Sequence, residues 1–231
     1  MSLVIALDGP SGSGKSTVGR HLARVHGLGY LDTGAMFRAA AWYCHDRGID
    51  LTDADAVTAA VAALPLEQDL DPDSTRVAVD GVDVTDAIRT TEISTHVSKV
   101  ATNLGVRAEL KARQRAIIAR EATADGWSGG RGIVAEGRDI TTVVAPDADV
   151  RVLLVARAEA RLARRALELH GTADAGAIEA TRDQVLRRDA DDSTVSQFHA
   201  AADGVVTLDS SHLSLPETLA AAERIVAEQR P

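Results

Sequence analysis

Residues 9–17 constrain this chain more than any other stretch. Gly9, Pro10, Ser11, Gly12, Ser13, Gly14, Lys15, Ser16 and Thr17 fit the pattern G-x-x-x-x-G-K-[ST], a phosphate-binding P-loop. Glycines let the backbone take positive-φ turns and approach an anion closely. The loop's N–H groups then converge into an anion-binding concavity. Lys15 can bridge the β- and γ-phosphates of a nucleoside triphosphate, and the Ser16 hydroxyl can ligate Mg²⁺. The flanks agree. Leu3–Leu7 is an apolar run of strand length, and Val18, Leu22 and Val25 after the loop have helical spacing. Strand, loop and helix put a helix N-terminus under the phosphates.

A chain built on such a loop needs room for a parallel sheet, and 231 residues provide it as one large domain with insertions. The net charge of −9 argues against nucleic acid or an anionic membrane as partner. An anion site must therefore be a local cluster of arginine and lysine. The single cysteine, Cys44, excludes an internal disulfide and reads as a core thiol. No apolar run reaches the roughly 18 residues of a membrane span. The first apolar run enters the P-loop with no basic segment before it, unlike a signal peptide. The expected compartment is the cytoplasm, where ATP is available.

Further along, Tyr30-Leu31-Asp32 is extended and Thr33-Gly34 opens a helix that Asp32 or Thr33 can cap. Arg38 lies about one turn from this opening, within reach of an anion bound there. A helix is expected over 53–64. Residues 66–90 change character, because Arg76–Val79 and Val82–Val84 alternate around Asp80-Gly81, a hairpin signal. This marks a small inserted subdomain. Helices follow over 92–104, with Ser98 and Lys99, and from 106 to about 124. The second carries Arg107, Lys111, Arg113, Arg115 and Arg120, which read mainly as solvated charges.

Ile133–Glu136 reads as a buried parallel strand, with Gly137-Arg138-Asp139 beyond its carboxyl end. Ligands of open α/β sheets bind at that edge. The P-loop, Asp32-Thr33-Gly34 and Arg138-Asp139 all fall there. After the strand Val150–Val155, Arg157, Arg161, Arg164 and Arg165 are spaced to share a helix face. A small-residue link over 171–176 leads to a helix over 178–188 that ends in Arg187, Arg188 and Asp189. Two arginine-bearing helices about a joint suggest a lid. A last strand, Val205–Leu208, and an amphipathic helix, Leu215–Glu228, close the chain.

The fold class is therefore α/β: a parallel sheet flanked by helices, with an inserted hairpin subdomain and a helical lid. Phosphoryl transfer suits these parts, because it rests on positioning and charge stabilisation. No Asn-Lys-x-Asp segment is present to read guanine, and no hydrophobic run ends in the Asp of a Walker B site. Both absences point to a small kinase. A kinase of another small acceptor, such as a different monophosphate or a polyol, and a nucleotide-sensing binding protein that has lost catalysis are the alternatives left open.

Five segments together narrow the field. Asp8–Thr17, Leu31-Asp32-Thr33-Gly34-Ala35-Met36-Phe37-Arg38, Ile88–Ile93, Glu136–Val144 and Arg188-Asp189 closely resemble bacterial cytidylate kinases, in order and spacing. The resemblance spans essentially the whole chain. It implies transfer of the ATP γ-phosphate to CMP or dCMP. It implies a core of 1–36, 106–156 and 200–231, a monophosphate-binding subdomain of 37–105 and a lid of 157–199. By position it places ATP on residues 9–17 with Arg157 and Arg161, and Mg²⁺ on Ser16. The acceptor falls to Thr33, Arg38, Ser98, Arg107, Arg138, Asp139, Arg188 and Asp192. Lys15, Arg138, Asp139 and Arg188 are the implied catalytic set, Asp139 reading the cytosine amino group and Asp192 the ribose. Arg164 and Arg165 would join the lid closing over the phosphates. A monomer acting on small molecules is implied. The chain departs from the family pattern at Phe37, where tyrosine is common, and at Val195, where an arginine is usual.

Overall fold

The computed structural model describes residues 2–230, apart from the side chains of residues 168, 183 and 184. Five strands form one parallel sheet: β1 (Leu3–Asp8), β2 (Gly29–Asp32), β6 (Gly132–Gly137), β7 (Val150–Val155) and β8 (Val206–Asp209), in the order β2-β6-β1-β7-β8. β1 is central, with Leu7 beside Glu136 on one side and beside Val152 on the other. All four pairings are parallel, so the carboxyl ends of the strands share one edge.

Alternation along the strands divides the core in two. Ile5 and Leu7 point to one face with Val134, Val152 and Leu154. That face is covered by α1 (Lys15–His26) and α8 (Leu215–Gln229) through Val18, Leu22, Ala222 and Val226. Ala6, Leu31, Ile133 and Ala135 point the other way. They meet α2 (Thr33–Asp46), α3 (Ala54–Ala62), α4 (Thr91–Ala101) and α5 (Leu104–Glu121). Cys44 is fully buried in this second cluster, where burial pushes its thiol pKa up.

The hairpin forms where the alternation places it. β4 (Val77–Val79) and β5 (Val82–Asp83) flank Asp80 and Gly81, at φ 53° and 74°. Two successive positive φ values make the tight turn that matches strand twist. β3 (Leu66–Gln68) adds a third antiparallel strand that the sequence reading did not separate from the connection. α2 runs unbroken across residues 36 and 37, and one hydrophobic cluster joins it to the hairpin, α4 and the sheet.

The lid helices are α6 (Ala158–His170) and α7 (Ala175–Ser193). α7 starts earlier and ends later than expected. Asp174 caps it through the Ala177 N–H, which takes Ala175 and Gly176 out of the link and into the helix. Its last turn carries Asp189 and Asp192 one turn apart. A single turn of π-helix, Ile140–Val144, follows β6. Among the described residues no helix is long and apolar enough to cross a membrane.

Candidate active site

The P-loop is shaped by its neighbours as well as by its glycines. Gly9, Gly12 and Gly14 have φ of 153°, 74° and 97°. A Cβ on Gly9 would lie 2.1 Å from the Leu154 carbonyl oxygen, and one on Gly12 would lie 2.6 Å from that of Arg161. Side chains at either position would push the loop off β7 and α6. No side chain caps the N-terminus of α1, so its first N–H groups are open to an anion. Lys15 donates from Nζ to the Pro10 carbonyl at 2.9 Å. Burial, with Arg138 close by, pushes its pKa down to about 8, against the pull of Glu136 and Asp189.

Two carboxylates at the strand ends carry more of the site than the motifs suggested. Asp8 is buried at the end of β1. It accepts from the N–H groups of Ile140 and Thr141 and from the Thr141 hydroxyl, at 2.9, 2.8 and 2.6 Å. That grip fixes the loop bearing Arg138 and Asp139 against the P-loop strand. Glu136, at the end of β6, stands where the sequence reading looked for an aspartate and found none. The strand-end carboxylate is present, one methylene longer. Tyr30 donates its hydroxyl to Glu136 Oε1, while Oε2 is buried without a hydrogen-bond partner. Burial raises the Glu136 pKa, opposed by nearby Lys15 and Ser16.

An oxygen-only pair, the Ser16 hydroxyl and the orphaned Glu136 oxygen, fits a hard divalent cation. No cluster of three or more ligating side chains exists among the described residues.

A cavity of about 670 Å³ joins these parts. It is lined by the P-loop from Ser11 to Thr17 with Glu136, Gly137 and Arg138. Leu213, with Leu215 and Thr218 of α8, and Arg164 and Leu167 of α6 also line it. So do Phe37, Val97 and Ala101 with the paired Arg107 and Asp139. Thr33, Arg38, Arg89, Arg165, Arg188 and Asp192 are further lining residues. A second cavity of equal volume lies between β3 and α5 and includes Trp127, but it touches neither the P-loop nor these arginines.

Arg138 is held on every side. It donates from Nε to Asp192 at 3.0 Å and from Nη1 to the Gly9 carbonyl at 2.8 Å, and Nη2 pairs with Asp189 at 2.9 Å. Its guanidinium also lies 4.5 Å from the centroid of the fully buried Phe198. A guanidinium has five N–H groups, so two remain for a ligand. Arg107 is buried and donates from Nη2 to Asp139 at 2.5 Å and to Ser196 at 2.6 Å. Lys111 reaches the same Asp139 oxygen at 2.8 Å. Arg107, which the resemblance placed at the acceptor, lines the cavity, and Lys111, read with the solvated charges, pairs with Asp139. Arg113 and Arg115 are not free either: they cap the carbonyls that end α3 and the π-turn.

The remaining expected residues divide. Thr33 donates to the Glu136 carbonyl at 2.7 Å, and Arg38 donates to Ser94 Oγ at 2.9 Å. Burial, with Arg188 and Arg165 nearby, lowers the Arg38 pKa; burial likewise lowers that of Arg188. Arg164 donates to the Ser13 carbonyl and to Ser210. Arg157 precedes α6, is exposed, gives its N–H to Ser211 Oγ and is not among the residues that line the cavity. Arg161 sits behind the loop, bonded to the Ser11 carbonyl and Asp189. Ser98 is half-buried on α4 beside the lining residues Val97 and Ala101, without lining the cavity itself. Gly9 and Pro10 serve through their carbonyls. Val195 ends the turn after α7, its N–H on the Asp192 carbonyl. Of its two neighbours able to supply a cation, Arg188 lines the cavity and Arg187 is exposed. Sequence reasoning gave no role to Asp8, Glu136, Lys111, Asp189 or Phe198. Asp8 and Glu136 at least had a signal, an acidic residue ending an apolar run.

Comparison with known proteins gives the family. The family model described as cytidylate kinase matches residues 5–228. A cytidylate kinase of Cutibacterium acnes is 48% identical over 219 residues, covering 94% of this chain and 92% of its own. One from Streptomyces coelicolor is 43% identical over 230 residues, covering 99% and 94%. A bifunctional pantoate ligase/cytidylate kinase of a Synechococcus strain is 46% identical over 200 residues, 84% of this chain and 38% of that longer protein.

Proposed function

The chain belongs to the cytidylate kinase family, and from that premise we propose how its residues divide the work of phosphorylating CMP and dCMP with ATP. One observation carries the reading. One cavity is lined by the P-loop, by Arg138 and by the buried Arg107–Asp139 pair. The amides of the P-loop and Lys15 hold the donor phosphates. The donor base lies toward Leu213, Leu215 and Arg164. The acceptor phosphate meets Thr33, Arg38, Arg138 and Arg188, which reduce its repulsion from the incoming γ-phosphate. Asp139 accepts from the cytosine amino group, which uracil lacks. Asp192 contacts the ribose. Ser98 and Arg161 act from behind, through α4 and the P-loop. Ser16, with Glu136 beyond it, holds Mg²⁺, which when bound neutralises charge across the phosphates.

Closure of α6 and α7 excludes water, so the γ-phosphate goes to the nucleotide and not to hydrolysis. Residues 37–105 act as the acceptor-binding part and 157–199 as the lid. The net charge of −9 suits small-molecule partners over nucleic acid, and the need for ATP suits the cytoplasm. The test is a coupled ADP-release assay with Mg-ATP and CMP, dCMP, UMP, AMP, GMP, shikimate or no acceptor. Strong turnover with CMP and dCMP and weak turnover with UMP is expected. Preference for another acceptor would keep the kinase chemistry and overturn the base reading.

A further inference from the structure

Asp189 lies in the last turn of α7 and is 5% exposed, yet it does not line the nucleotide cavity. Its two oxygens tie together three other parts of the chain. Oδ1 accepts from the Ser11 N–H of the P-loop at 3.0 Å and pairs with Arg138 Nη2 at 2.9 Å. Oδ2 accepts from Arg161 Nη1 of α6, and that same nitrogen donates to the Ser11 carbonyl at 2.9 Å. Ser11 is thus held from both sides, by the carboxylate at its N–H and by the carboxylate's own arginine at its C=O. Oδ1, the oxygen that accepts from the Ser11 N–H, also fixes Arg138 through Nη2.

We propose that Asp189 is a positioning residue that locks the donor loop in register with the acceptor arginine. The proposal rests on the functional reading above, and it assigns to Asp189 no contact with either nucleotide. Phosphoryl transfer needs the two phosphates in line, and a misplacement near 1 Å can cost about 100-fold in rate. Here one side chain fixes both the loop that cradles one phosphate and the guanidinium that meets the other. The ring works only for an anion. Asparagine would turn an amide N–H toward Ser11 N–H and Arg138, or toward Arg161, where another donor already points.

The test is kinetic, with Asp189→Asn, Arg138→Gln and the double variant assayed on ATP and CMP at equal folded concentration. Asp189→Asn should lower kcat roughly 10- to 100-fold and change KM for each nucleotide less than about threefold, because the nucleotide contacts are intact. In the Arg138→Gln background the further loss should shrink to a fewfold, since the arginine it positions is gone. A merely structural role would lower the melting temperature, leave kcat per folded molecule unchanged, and act equally in both backgrounds. Unchanged kcat, or a loss that multiplies in full with Arg138→Gln, overturns the proposal. Should Asp189→Asn not fold, Arg161→Gln decides, since it removes the Oδ2 partner together with its bond to the Ser11 carbonyl and leaves both Oδ1 contacts in place. A kcat fall of about three- to tenfold supports the lock, and wild-type kcat overturns it. Wild-type turnover on CMP is read separately. If another acceptor is preferred, the functional reading fails and the same variant ratios are measured on that acceptor.

Discussion

Asp139 shows how one residue can be present in a motif while its role depends on its neighbours. Its side chain is 9% exposed and shared by Arg107 and Lys111 on one oxygen. A carboxylate accepts hydrogen bonds and has no N–H to donate. That is the chemistry needed to prefer an amino group over a carbonyl on a pyrimidine. Asp139→Ala should lower kcat/KM for both CMP and UMP, because Arg107 and Lys111 lose their partner. The loss should be about tenfold or more greater for CMP, the worth of one charge-assisted hydrogen bond. The measurement is the ratio of the two kcat/KM values, in which the shared damage cancels. An unchanged ratio would remove Asp139 from base recognition. Phe37 fits the same picture: the Arg107 guanidinium is 5.9 Å from its ring centroid, so packing replaces whatever a hydroxyl would bond.

Among the elements, the turn after β6 depends most on a single distant group. Residues 138–141 must present Arg138 and Asp139 in a fixed direction, and their backbone enters a π-turn instead of an ordinary helix. Asp8 makes this possible by satisfying two N–H groups and a hydroxyl that the turn leaves inside. Asp8→Ala would strand all three. The expected cost is about 3 kcal/mol, which for a chain of this size lowers the melting temperature by roughly 10 °C. Calorimetry would read it directly. A shift within about 2 °C would mean that water or a rearranged turn replaces the carboxylate. α7 makes a related point. Its extra turn carries Asp189 and Asp192 onto Arg138 and Arg161, and a helix ending at 188 would have left both arginines without these partners.

For the molecule as a whole, the division is between a sheet packed on both faces and two helices that lie outside both hydrophobic clusters. α6 and α7 leave Leu167, Leu169 and Leu186 at 57%, 36% and 38% exposed. Their links to the core run through Asp189, Asp192, Arg161 and Arg164. Elements held this way open at lower free energy than a buried sheet. Hydrogen exchange with CMP and a non-hydrolysable ATP analogue should therefore slow residues 158–193 by about tenfold or more, with little change in β1 and β6. Uniform protection across the chain would count against a lid and for a rigid pocket.

The parts legible in the sequence are those governed by local rules. Glycine conformations, a lysine and a serine at fixed spacing announced the P-loop. Alternation around Asp80-Gly81 announced the hairpin, and the order of short apolar runs announced a parallel sheet with its ligands at one edge. The roles of the charged residues were not legible, because a charge on a helix looks the same whether it meets water or a buried partner. Arg107, Lys111, Arg113 and Arg115 lie on one helix, yet the fold sends two to Asp139 and two to orphan carbonyls. Arg157 and Arg161, four residues apart, end up in solvent and behind the P-loop. Asp8, Glu136 and Asp189 acquire their functions only when strands and helices far apart in sequence bring donors to them. Spacing along the chain determines backbone geometry, whereas the pairing of buried charges is decided across it.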